Sequence, residues 1–437
     1  MSGILIKNVN ILTMNEEKTI IPKGVVAISG NIILEVGDST LEEKYKDFIT
    51  IDGEDGILMP GMVNCHTHAA MVPFRSLADD CGDRLRKYLF PLEQKLVDRE
   101  LVAIGAKYAL CEMLLGGVTT FCDMYYFEDE VAKVSKKMGV RAVLGETVVN
   151  FPAPDSKKPY GGLCYGEEFI KSWMGDDLIT PAIAPHAPYS NDEISLKKAH
   201  KLSKKYNIPM IMHVAEMDFE YLYYKEQYSL SPVKYLNSLG ILDENFIGAH
   251  MILLDEGDLD ILQSNGVGVS HNMGANSKGA KGVAPVLEMY KRGMKIGLGT
   301  DGPMSGNTLD IITQMALVGK VHKLYNKDRT ILPAHEIVEM ATIGGARALN
   351  LGEKIGSIEV GKKADLVLIE TTSVNMQPIY DYYSTIVYSA NPSNVHTVIV
   401  DGKILVRDKQ LIGIDFLNVK KELLNLRDKV ETIAKEM

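Results

Sequence analysis

The sequence predicts an α/β fold: a (β/α)8 TIM-like barrel carrying a small β-sandwich assembled from its N- and C-terminal segments. Three observations point there. Between residues 58 and 354, eight short apolar runs alternate with longer helical patterns. Both chain ends instead carry short alternating strands punctuated by Gly and Asp. Several apolar runs of the middle end in His or Asp, residues that a packed core does not choose. The expected division is residues 1–57 with 355–415 as one composite β domain, 58–354 as the barrel, and 416–437 as a C-terminal helix.

In order, residues 2–57 read as strands in ILIKNVNILTM, GVVAISG, NIILEVG and FITIDGEDG, expected to pair as small antiparallel pieces. The barrel runs are Leu58–His66, Val118–Met124, Val140–Glu146, Ile179–Pro185, Pro209–Val214, Phe246–His250, Val267–His271 and Lys295–Asp301. Helical patterns lie between them at Glu100–Gly116, Val131–Lys137, Glu193–Tyr206 and Ala284–Gly293. Strand signals return at Lys362–Glu370 and Val395–Val406, the second with an Asp401-Gly402 turn. Residues 415–437 read as a charged amphipathic cap.

Composition narrows the function. The chain has 437 residues, 46% hydrophobic and 24% charged, as in a soluble globular protein with a large core. A formal net charge of −10 argues against a nucleic-acid partner, because no basic surplus replaces counterions. No apolar run reaches the 18 or so residues that span a bilayer, and MSGILIKN lacks a signal-peptide profile. Five scattered cysteines without a CxxC pair suit reduced thiols in a cytoplasm. A small-molecule substrate is therefore expected, with no nucleic acid and no membrane, and with room for a homo-oligomer.

The strand ends carry the chemistry. In PGMVNCHTH, His66 and His68 lie two apart, so a strand presents both on one face, with Cys65 on the other. Further ends supply His186, His213, His250, His271 and Asp301, with Glu216 three residues beyond His213. Six of the ten histidines sit at such ends, which form the mouth of a barrel of this kind. His200, His322, His335 and His396 read as structural or solvent-exposed. His66, His68 and His213 offer imidazoles and Asp301 a carboxylate, a set that suits one divalent ion: zinc, with ferrous iron or manganese also fitting. A position left to solvent holds a water whose pKa falls from about 15.7 to about 7 on binding. Glu216 is placed to carry its proton, Asp301 to hold the water, and His250 to donate a hydrogen bond to developing charge.

The motifs PGMVNCHTH, PHAPYS, MHVAE, GAH, SHN and GTDGPMSGN, in this order, resemble the amidohydrolase superfamily, specifically its mononuclear deaminase branch. GSIEVGKKADLVL resembles the return of such chains into the small β-sandwich. The resemblance implies His66, His68, His213 and Asp301 as ligands and Glu216 as proton shuttle. The strand Ile179–Pro185 contains no lysine to bridge a second ion, so one metal is implied. Within the branch, His68-Ala69-Ala70-Met71, Phe90-Pro91-Leu92-Glu93 and His186-Ala187-Pro188-Tyr189 are similar to the methylthioadenosine, S-adenosylhomocysteine and 5′-deoxyadenosine deaminases. That similarity implies Glu93 on ribose hydroxyls and His186 on the nucleoside.

Two loops depart from the pattern. CGDRLRK brings Arg84 and Arg86 where an apolar segment with a tryptophan is expected, and NMGANSKGAKG keeps only Asn276 and Lys278 in register. Both lie on the substrate side. The expectation is hydrolytic deamination of an aminated N-heterocycle by a metal-bound hydroxide, with adenosine or a 5′-modified adenosine as substrate. Alternatives are another leaving group on a triazine, guanine or pterin, a cyclic amide, or a metal-holding scaffold without catalysis; Glu216 beside His213 argues against the last.

Overall fold

The computed structural model describes residues 3–436; residues 1, 2 and 437 of the expected terminal segments lie outside them. Eight parallel strands form the barrel sheet: β1 (Met62–Thr67), β2 (Val118–Tyr125), β3 (Arg141–Val148), β4 (Ile179–Pro185), β5 (Met210–Val214), β6 (Phe246–His250), β7 (Gly268–His271) and β8 (Lys295–Leu298). Each pairs with the next in sequence. The backbone N–H groups of Thr300 and Asp301 both donate to the carbonyl of His66, at 3.1 and 3.0 Å, tying the end of the eighth strand back to the first.

Val63, Cys65, Met124, Val143, Ile211 and Ile247 come from five of these strands and share one buried cluster. Burying an aliphatic side chain of this size contributes roughly 1.5–3 kcal/mol, so a filled interior of this kind fixes the strand register. Cys65 is fully buried there, and burial raises its thiol well above the usual range.

Both chain ends build a second eight-stranded sheet. Its strand Ile49–Pro60 lies between Ile4–Leu12 on one side and Leu366–Ile369 on the other. Ile6, Val26, Leu366 and Ile399 join in one apolar cluster, so residues nearly 400 apart share a core (~390 in sequence, at a loop-closure cost that grows only logarithmically). The C-terminal helix, Phe416–Ala434, packs on the barrel helix Arg99–Leu115, where Lys107 pairs with Glu422 at 2.7 Å.

Four expectations are corrected. Ile4–Leu12 pairs with Ile49–Pro60 in parallel, because the antiparallel partners of those strands are Ile20–Ser29 and Leu366–Ile369. Leu58 to Pro60 belong to the terminal sheet; the chain crosses to the barrel at Gly61, where a Cβ would lie 2.1 Å from Thr119 Oγ1. The eighth strand stops at Leu298, and Asp301 sits in the turn beyond it with φ +59°. The helix expected at Ala284–Gly293 is shortened to Val286–Lys291, entered through Pro285.

Candidate active site

The carboxyl ends of the barrel strands bring His66, His68, His213, His250 and Asp301 into one buried group. Ligand atoms of His66, His213, His250 and Asp301 all lie within 4.8 Å of one another. His68 adjoins them: its Nε2 is 3.2 Å from Asp301 Oδ1 and 3.3 Å from His213 Nε2. The tightest quartet thus contains His250 as well as residues expected as ligands, with His68 against it. Ala215, His250 and Asp301 all have positive φ, at 52°, 76° and 59°. Left-handed backbone at non-glycine positions costs on the order of 1–3 kcal/mol each and gathers where a site over-determines the chain.

The hydrogen bonds fix what the imidazoles present. His68 Nδ1 bonds the Met124 carbonyl at 2.6 Å, and His213 Nδ1 bonds the His186 carbonyl at 2.7 Å. A carbonyl only accepts, so both Nδ1 atoms carry the proton and both Nε2 atoms present lone pairs in the neutral rings. His250 Nδ1 is likewise committed to Asn276 Oδ1 at 2.8 Å. Among the described residues neither nitrogen of His66 has a partner, nor does His250 Nε2, and both rings are fully buried. Lone pairs thus converge on a carboxylate whose Oδ1 accepts from the Gly302 N–H at 2.7 Å, and the nitrogens of His66 and Nε2 of His250 find no donor among the described residues. A divalent cation satisfies that arrangement, and N and O donors oriented by outer hydrogen bonds are those of such sites. Burial disfavours a charged His68, yet its hydrogen bond to Asp301 and that carboxylate's charge outweigh burial and push its pKa up to about 9, so a cation entering the space would displace a proton from Nε2.

Glu216 follows on the same turn. Its Oε1 lies 3.5 Å from His250 Nε2 and accepts from the ammonium of Lys281. Burial alone raises the Glu216 carboxyl, but His250, Lys281 and His213 together bring it down to about 2. Glu220, fully buried on the helix Asp218–Tyr228, holds the turn from below. Its two oxygens accept from the N–H groups of Ala215 at 2.9 Å and Glu216 at 3.0 Å. The Ala215 carbonyl in turn accepts from Ile252 and Leu253, both at 2.9 Å, linking the turn to the end of β6.

The two residues carried over for substrate lie around this group. Glu93, on the short helix Phe90–Leu96, is buried with Oε1 unpartnered. Burial raises its carboxyl to about 7, against the lowering effects of Tyr125 and His68. His186 packs its ring 4.9 Å from that of His213, with Nδ1 at 2.9 Å from Ser190 Oγ. Burial and the charge of His68 depress it to about 4.

His271, though at a strand end, turns away from the quartet. It meets His322 at 2.9 Å between Nε2 atoms, so both rings are tied to each other. Arg84 pairs with Asp79 at 3.3 Å, and Lys278 with the same carboxylate at 2.6 Å, while Arg86 stacks over Phe219 at 5.0 Å. Three residues escaped the sequence reading: Glu220, Lys281 and Asp123. Asp123 accepts from the Ala69 N–H at 2.7 Å and so anchors the chain just past His68. It was findable as a carboxylate interrupting the apolar run of β2. Glu220 and Lys281 carry no comparable signal.

Known proteins are similar to this chain over most of its length. Residues 57–405 match the amidohydrolase family. A 5-methylthioadenosine/S-adenosylhomocysteine deaminase of Syntrophus aciditrophicus is 37% identical over 435 residues, covering 99% of this chain and 98% of that protein. A 5′-deoxyadenosine deaminase of Methanosarcina mazei is 37% identical over 426 residues, covering 97% of each. The crystal structure of an adenosine deaminase from Xanthomonas campestris with bound zinc superposes with a TM-score of 0.95, at 31% identity and 99% coverage of each chain. A family match spanning most of the chain, together with relatives alike from end to end, establishes that this protein belongs to the amidohydrolase family.

Proposed function

We propose that the protein is a metal-dependent hydrolytic deaminase of adenosine or a 5′-modified adenosine, releasing the inosine form and ammonia. The observation that carries the metal-dependent part is the convergence of imidazole lone pairs on the Asp301 carboxylate. His66, His68, His213 and Asp301 hold the ion in this reading, with His250 close enough to join them. Zinc is the preferred ion, supported by the N and O donors and by the zinc in the Xanthomonas protein. A divalent ion bound there supplies a water activated near neutral pH.

The chain's own residues do the rest. Glu216 takes the proton of the attacking water and passes it to the ring nitrogen beside the amino-bearing carbon. As the C–N bond breaks, the second proton of the added water, held at Asp301, passes through the same carboxyl to the departing amine, which leaves as ammonia. His250 donates from Nε2 to developing charge only in its doubly protonated form, because Nδ1 is already spent on Asn276. Asp301 holds the water's second proton. Glu93 accepts from two ribose hydroxyls, and its unpartnered buried oxygen supports that role. His186 borders the nucleoside.

Support for the substrate comes from the two deaminases that match end to end. The barrel, entered at Gly61, is the catalytic unit in this reading, with the sheet built from the two terminal segments as one accessory domain. The five cysteines are all unpaired, which suits a reducing cytoplasm. The test is ammonia release from adenosine, 5′-deoxyadenosine, 5′-methylthioadenosine, guanine, a pterin and aminotriazines. Release from adenine nucleosides is expected. Release only from the free rings overturns the nucleoside assignment.

A further inference from the structure

We propose that Lys281 is a specificity-determining residue that touches the substrate ring, favouring a hydrogen-bond acceptor on the edge served by Glu216. The inference deepens the proposed function and rests on Glu216 as the proton carrier.

Lys281 belongs to the loop whose sequence departs from the deaminase pattern. Its side chain is only 16% exposed, uncommon for a lysine, and its ammonium bonds Oε1 of Glu216. That same oxygen lies 3.5 Å from His250 Nε2. The loop is built to deliver the side chain. Lys281 N donates to the Asn276 carbonyl at 3.0 Å, and Asn276 itself accepts from His250. Ala280 and Gly282, on either side, have φ of +51° and +114°. At Gly282 a Cβ would stand 3.0 Å from Ile252 Cγ2, so the loop lies hard against the chain beyond β6. The neighbouring Lys278 turns instead to the rim carboxylate of Asp79.

Charge follows from the partners. Burial opposes the ammonium, but Glu216 and Asp301 keep its pKa above the usual 10.5. An ammonium has three donors and no acceptor. One donor serves Glu216. Two hydrogen bonds in series, ammonium to carboxylate and carboxylate to ring nitrogen, place Nζ within about 6 Å of the atom that Glu216 serves. At that range the remaining donors reach an adjacent ring nitrogen or oxo group. They repel a protonated or amino-bearing edge. A mere counterion of Glu216 would slow every ring alike, and that difference is measurable.

The experiment compares zinc-loaded wild type, K281M and K281R on adenosine and on 3-deazaadenosine and 7-deazaadenosine, each of which lacks one ring acceptor. The expected result is a change of tenfold or more in the kcat/KM ratio of one analogue to adenosine in K281M, with a smaller change in K281R. K281Q repeats the measurement if K281M does not fold. Ratios that stay within threefold, whatever the absolute loss, overturn the inference. If no adenine nucleoside is turned over, the nucleoside reading fails separately. Ammeline and melamine, which differ by an oxo acceptor against an amino donor, then serve as the pair. Rings that bind without turnover are compared by calorimetric Kd under the same criterion.

Discussion

The Glu220 carboxylate grips the backbone of Glu216, accepting its N–H at 3.0 Å while its other oxygen holds Ala215 at 2.9 Å. One buried acid thereby aims another. Burial nevertheless raises Glu220 to about 8, well above the ~4.3 of a free glutamate. Between those values the folded protein binds more protons than the unfolded chain, so this group's contribution to stability falls as pH rises through the window. The Tm of wild type is therefore expected to drop relative to that of E220Q between pH 5 and 9. A rising difference would show that the two backbone donors outweigh burial.

Removing the proton carrier separates binding from chemistry. Glu216→Gln is expected to keep the metal and lower turnover by about 10²- to 10⁴-fold, the range for a positioned acid/base. Activity within a few-fold of wild type places the shuttle on another group.

Metal content tests the convergence of lone pairs. Protein purified without chelators is expected to hold one divalent ion per chain by elemental analysis. His66→Ala and Asp301→Ala should lower metal and activity together. Two ions per chain, both lost on His213→Ala, would exclude a mononuclear centre.

Glu93 discriminates nucleoside from free ring. Glu93→Ala is expected to weaken nucleosides by about 1.5–3 kcal/mol in kcat/KM, as for a lost charge-assisted hydrogen bond, and to spare any free-base activity. Equal loss on both classes makes Glu93 a packing residue.

The sequence was most readable where period and chemistry coincide. The alternation of strands and helices and the polar residues at strand ends needed only local patterns. Whether His68 or His250 completes the tightest quartet depends on ring rotations set by Met124 and Asn276, far away in sequence. Glu220 stands four residues past Glu216, but its helix starts at an uncapped Met217, so no local signal joins the two. Lys281 sits in a glycine-rich loop with no periodicity to read. The parallel pairing of Ile4–Leu12 with Ile49–Pro60 follows from which strands occupy their other edges.

The seat of Leu366–Ile369 against Ile49–Pro60 bears on how the protein is made. On the ribosome, the strand ending at Pro60 emerges long before its partner and waits with one edge unsatisfied. Its Ile57, Leu58 and Met59, buried in the finished fold, pair there with Ile369, Leu368 and Val367. An unpaired apolar edge invites pairing with other chains, so nascent or truncated forms ending before Leu366 depend on chaperones to stay apart. A C-terminal deletion that spares every residue of the catalytic mouth would still yield aggregates.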